Sequence, residues 1–376
     1  MSNDTVVTRR SAGRALLQLC VLAFTFGVAP ACVTFPDPTV GAPPPPREQG
    51  PPGWRVRTRD HVDLWLHGFA LLQRDDATLS LFRPGYADRV RAAKDAAGVY
   101  SVLDANAEAL TRGLADNPGL VNAHFVPLYF ASWLDTREAV DTFLAASGDV
   151  RRARGGDARF RIALLAQLFP TAADRDWLRL FVNGLEDERV RFHQRWWDDR
   201  QQENAAVLAV TDSVLRAEID GRLRPYLRSS LLDRGDVAVS WPLGGEGRSV
   251  LRGTDRVTIA VTRPATRDSA VVAVYTFVHE IVAPAVDLAI REQDAPDDSL
   301  RTLADMYTTS GLVRGGLILL QRTAPELADG YARYYLHLAG RQPTADPQAG
   351  LARIFPLPTA IAQDIEQQIV AVLRGI

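Results

Sequence analysis

The chain has 376 residues and two cysteines, with 43 basic against 45 acidic side chains and a formal charge of −2. Near-neutrality removes the electrostatic case for nucleic acid, whose backbone rewards clustered cations. A hydrophobic share of 47 % over this length suits a large core that needs no disulfides.

The N-terminus reads as an export signal. Arg9, Arg10 and Arg14 supply the positive start, and residues 15–28 are apolar apart from Gln18 and Thr25. That run is shorter than the roughly 20 residues that cross a bilayer and fits the apolar region of a signal peptide. Ala29, Pro30, Ala31 and Cys32 resemble a lipobox, which implies cleavage before Cys32 and lipid on its thiol. Pro30 departs from the usual pattern and leaves ordinary cleavage near Ala31 open. The twin arginine is followed by Ser11, Ala12 and Gly13, which lack the rest of a twin-arginine signal. Val33 is not the aspartate associated with inner-membrane retention, which favours the outer membrane, on the periplasmic or extracellular face. Cys20 would be removed with the signal, leaving no pair for a disulfide. Residues 32–54 form a tether whose prolines (Pro36, Pro38, residues 43–46, Pro51, Pro52) favour extended polyproline geometry.

Residues 55–200 read as a helical part. Apolar residues at helical spacing mark segments 61–72, 86–114, 134–146, 159–168 and 175–185, punctuated by Gly148, Gly155, Gly156 and Pro170. His61 and His67 are six apart and share no helix face, so they read as separate, one of them near the surface. Asp63 and His67, four apart, can bond locally. His124 reads as a satisfied buried histidine. His193 beside Trp196 and Trp197 reads as an aromatic face packed into the core, or as the lining of a groove for a peptide or sugar. Lys94 is the only lysine, and no functional conclusion is attached to it.

Residues 201–376 form a second part. A helix over 204–227 leads to a short β-rich run, residues 237–243, then to glycines 244, 245 and 247, which supply turn chemistry. Residues 256–262 alternate apolar and polar side chains, many β-branched, which predicts a half-buried strand. Residues 271–290 are almost wholly apolar, too long for one strand, and predict a helix buried on most sides. His279 and Glu280 sit in its middle and need partners there, because a bare buried carboxylate is costly. Helices are also predicted over 303–322, 326–338 and 360–373.

Strands followed by a core helix bearing His-Glu resemble the zincin metallopeptidases of the gluzincin type. The resemblance covers roughly residues 205–340. It implies an α+β fold, predominantly helical, with a small antiparallel sheet. It places His279 as a zinc ligand and Glu280 as the general base that activates water. The motif is incomplete. Ala283 stands where the second histidine belongs, Pro284 follows and removes the helix bond back toward Glu280, and Ser310 stands where a later glutamate ligand is expected. Glu326 is the next carboxylate, and His337 is a histidine that can in principle approach His279. The resemblance therefore implies a pseudoenzyme: no cofactor, or zinc only if other ligands complete the site. The expected partners are the membrane, through the lipidated N-terminus, and a peptide or envelope protein. The alternative is a purely structural helical envelope lipoprotein. The two differ in geometry: a cleft over His279 and Glu280 edged by strand 256–262, or both side chains enclosed and bonded to each other.

Overall fold

A computed structural model describes residues 53–73, 79–230, 232, 234–252, 256–293, 297–342 and 344–375. The signal, Cys32 and the tether up to residue 52 lie outside the described residues. The chain begins with β1 (Trp54–Arg57) and α1 (Asp60–Leu72). Helices α2 (Tyr86–Ala97), α3 (Val102–Ala105), α4 (Ala107–Asp116), α5 (Trp133–Ala145), α6 (Gly156–Leu168) and α7 (Ala172–Glu188) follow, with a 3₁₀ stretch Pro118–Tyr129 before α5. One π turn, Arg189–His193, joins α7 to α8 (Gln194–Glu203), and α9 (Ala205–Asp220) and α10 (Arg224–Ser229) lead to the strands. These are β2 (Gly235–Ser240), β3 (Arg248–Arg252) and β4 (Arg256–Thr262). The chain ends with α11 (Val272–Ile281), α12 (Ala283–Arg291), α13 (Asp297–Thr323), α14 (Pro325–Leu338), α15 (Pro347–Ile354) and α16 (Thr359–Leu373).

The fold is α+β and predominantly helical, as expected. Local chemistry sets many helix ends. Ser101 and Thr171 form capping boxes with Asp104 and Asp174, satisfying amides that a helix start leaves bare. The helix expected over 86–114 is broken because Gly98 takes a left-handed conformation, φ 63°, and closes α2.

The sheet is mixed, which corrects the antiparallel expectation. Its order is β1-β2-β4-β3, with β1 and β4 parallel to β2 and only β3 antiparallel to β4. The reason is β3, whose five residues carry arginine at both ends and give little strand signal. It turns the chain once at the sheet edge, so β4 returns beside β2 in the same direction. β1, which begins at the residue where the tether was expected to end, is shorter still.

Strand side chains alternate between faces, and here both faces are covered. Ala238, Val250 and Ala260 join a cluster built on Trp65, Phe69, Phe125 and Phe181 of the N-terminal part. Val237, Val239, Val257, Ile259 and Val261 join a second cluster with Phe277, Tyr331, Tyr335 and Ile365. β4 is therefore buried along nearly its whole length rather than half-buried. The stretch Val272–Arg291 is long and apolar enough to cross a membrane, yet most of it is buried inside the molecule. It is a core element, and it is two helices: the break falls at Val282, where Pro284 lacks the amide needed to continue.

Candidate functional site

α11 lies against β4 and β3 and carries His279 and Glu280 in its last turn. The two side chains meet each other: His279 Nδ1 is 3.1 Å from Glu280 Oε1. His279 is fully buried and Glu280 is 6 % exposed. Among the described residues both side chains are enclosed.

The cover is the segment between β2 and β3. A Cβ on Gly247 would lie 2.6 Å from the Glu280 Cγ and 2.6 Å from the Ala260 carbonyl, so the backbone passes directly over the carboxylate because that residue is glycine. Tyr335 of α14 stacks on His279 at 5.6 Å and donates its hydroxyl to the Gly245 carbonyl at 3.2 Å. Arg248 bonds Glu246 at 3.0 Å and the Gly247 carbonyl at 2.7 Å. The sheet edge beside the pair is thus β3, whereas the sequence assigned that edge to strand 256–262; β4 is interior.

The ligand positions implied by the resemblance do not converge. Ala283 starts α12 and has no donor atom; Ser310 lies on α13. Glu326, at the first turn of α14, is ion-paired with Arg222. His337 is exposed, and Tyr335 is the α14 residue that meets His279. Among the described residues no group of three His, Cys, Asp or Glu could hold a metal ion. His279 Nε2 is buried without a partner among them. One imidazole nitrogen beside a carboxylate already engaged does not fit zinc, which takes at least three protein ligands.

No known family model, curated protein or solved structure matches the chain.

The N-terminal histidines are all drawn inward. His61 and His67 are both buried, which corrects the expectation that one is near the surface. α1 is enclosed on nearly every side, so spacing on a single face decides nothing. His61 Nε2 bonds the Phe130 carbonyl at 3.1 Å. His67 does not bond Asp63. Its Nδ1 lies 2.9 Å from the Tyr86 hydroxyl, and its Nε2 donates to Glu188 at 3.1 Å. Glu188 also receives Lys94 at 2.6 Å and the Ser101 hydroxyl. Burial alone would raise the Glu188 pKa, but His67 and Lys94 hold it down at about 2. His124 is buried and bonds Gln73 at 3.0 Å. His193 is buried with its ring 4.8 Å from His67, while Trp196 and Trp197 are partly exposed.

Sequence reasoning missed the Lys94–Glu188 centre, and one signal was present. In a chain that otherwise uses arginine, a lone lysine marks a place where a compact ammonium fits. Lys94 Nζ meets three acceptors, on Glu188, Asp104 and Ser101, at 2.6, 2.6 and 3.2 Å.

Proposed function

We propose that the chain is an exported, lipid-anchored envelope protein that does not hydrolyse peptides, with His279 and Glu280 serving as a structural contact. The observation that carries this reading is their mutual bond beneath Gly247. A general base must reach the proton it removes, and the Glu280 carboxylate is instead engaged with His279 and covered by backbone. Enclosure is what a purely structural contact requires; an open cleft is what a working peptidase would need. The signal segment, Cys32 and the proline-rich tether support the envelope placement and a membrane-facing N-terminus.

A second reading is a degenerate zincin relative kept as a binding module for a peptide or envelope protein. The partnerless Nε2 of His279 favours it, because a former ligand atom would be left in that state.

The test is zinc content and peptide hydrolysis of the purified protein, beside His279→Ala and Cys32→Ser variants. Neither zinc nor hydrolysis is expected. Near-stoichiometric zinc that disappears with His279→Ala would overturn the non-hydrolytic reading. Cys32→Ser is expected to move the protein from the membrane fraction to the soluble one; an unchanged distribution would remove the lipid anchor from the proposal.

A further inference from the structure

Where the parallel strands end, the chain gathers cations and indoles that the function above does not use. Trp241 follows β2 and Arg263 follows β4, held side by side by the Arg263 amide, which donates to the Ser240 carbonyl at 2.9 Å. The guanidinium of Arg263 lies 4.0 Å from the centroid of the Trp241 ring, and that of Arg83 lies 5.1 Å from the same ring. Arg83, from the segment between α1 and α2, donates to the Arg263 carbonyl. α8 closes the group: Trp197 reaches Asp63, and the Arg200 carbonyl accepts from Arg263 at 3.4 Å.

The charge here is not balanced. Arg263 is 1 % exposed, and its Nε and Nη1 have no hydrogen-bond partner among the described residues; the Nε atoms of Arg83 and Arg200 are in the same position. Neither Arg83 nor Arg263 is ion-paired among the described residues, whereas Arg200 is paired with Glu203 at 2.7 Å. The carboxylate of the group, Asp63, is already filled by Ser240 at 2.6 Å, Trp197 at 2.8 Å and the Trp241 amide at 3.3 Å. Burial lowers the Arg263 pKa to about 10, with Asp63 pulling the other way. Burial of a cation is costly, and the counter-charges Asp63 and Glu203 offset only part of that cost here. The carboxyl ends of parallel strands are also where open sheets commonly take ligands. A guanidinium fork matches a carboxylate or phosphate, and an indole face packs against the body that carries it.

We propose that Arg263 and Arg83, with Trp241 packed against both, form a binding site for an oxyanion, a phosphate or carboxylate group carried by a small ligand. The site shares no residue with the His279–Glu280 contact and stands or falls without it. Asp63 acts as a positioning residue, holding Ser240, Trp241 and Trp197 in place through its three bonds.

The test is thermal denaturation of the purified protein in sodium phosphate and in sodium acetate, each against sodium chloride at equal ionic strength. A saturable rise in Tm with at least one of the two anions is expected, and which anion acts identifies the group. Arg83→Gln should abolish the rise; Arg91→Gln, a surface arginine, should keep it. Arg263→Lys retains the charge but not the fork and should weaken the apparent affinity about tenfold. No saturable rise with either anion, or a rise that survives Arg83→Gln, overturns the proposal.

Discussion

Asp63 shows what burial does to a single residue. Enclosure pushes its pKa from 3.8 up to about 6, against the donors Ser240 and Trp197, which pull it down. The folded chain therefore keeps this proton between about pH 4 and 6, where the unfolded chain has lost it. Its contribution to stability is complete below that window and lost as pH rises through about 6. His124 and His193 run the opposite way. Burial holds both well below the ordinary 6.5, with Arg248 adding to the effect on His124 and His67 to that on His193. Their contribution is complete above 6.5 and lost as pH falls, because the unfolded chain takes up their protons. Asp63→Asn should make the change of stability with pH more positive by about 1.4 kcal/mol per pH unit between about pH 4 and 6, read from urea denaturation at both ends of that window. An unchanged slope would mean that folded Asp63 ionises as it does in the unfolded chain. The sequence marked Asp63 only as a neighbour of His67. Its true partners, Ser240 and Trp197, lie more than a hundred residues away, beyond any local pattern.

At the scale of elements, short and charged pieces were the unreadable ones. β3 has five residues and β1 four, too few for alternation to show. The π turn at Arg189–His193 looks in sequence like an ordinary charged helix. Pro284, which cannot donate the amide that continuity needs, splits the single helix expected over 271–290 into α11 and α12. Gly247 reads in sequence as turn chemistry, yet its function is close approach: the missing side chain lets the segment leading into β3 lie on Glu280. Gly247→Ala would place its Cβ 2.6 Å from the Ala260 carbonyl, which cannot retreat without parting β3 from β4. A loss of about 1–3 kcal/mol is expected by urea or thermal denaturation. A neutral result would show that the cover over Glu280 lifts easily, and would revive the idea of an opening cleft.

For the whole molecule, the sheet is the shared wall between two cores. β1, at the N-terminal edge of the helical part, pairs with β2 of the later part. Leu243, Val250 and Ala260 pack into the N-terminal cluster. Residues 58–203 expressed alone would expose that face, so they are expected to lack near-UV circular dichroism and to aggregate. The intact protein should lose tryptophan fluorescence and far-UV signal in one coincident transition. A folded, monomeric fragment would show that the helical part is independent of the sheet.

The sequence by itself determined the predominance of helix, the strand at 256–262 and the core location of the helical segment with His279 and Glu280. These follow from composition and periodicity, which local chain chemistry carries. Only the tertiary structure decided the parallel pairing of β2 and β4, the closure of Gly247 over Glu280, the ring of partners around Glu188 and the meeting of Arg83, Trp241 and Arg263. Each depends on residues far apart in the chain being brought together by burial of two sheet faces, and no local pattern of side chains records which distant surface will cover them.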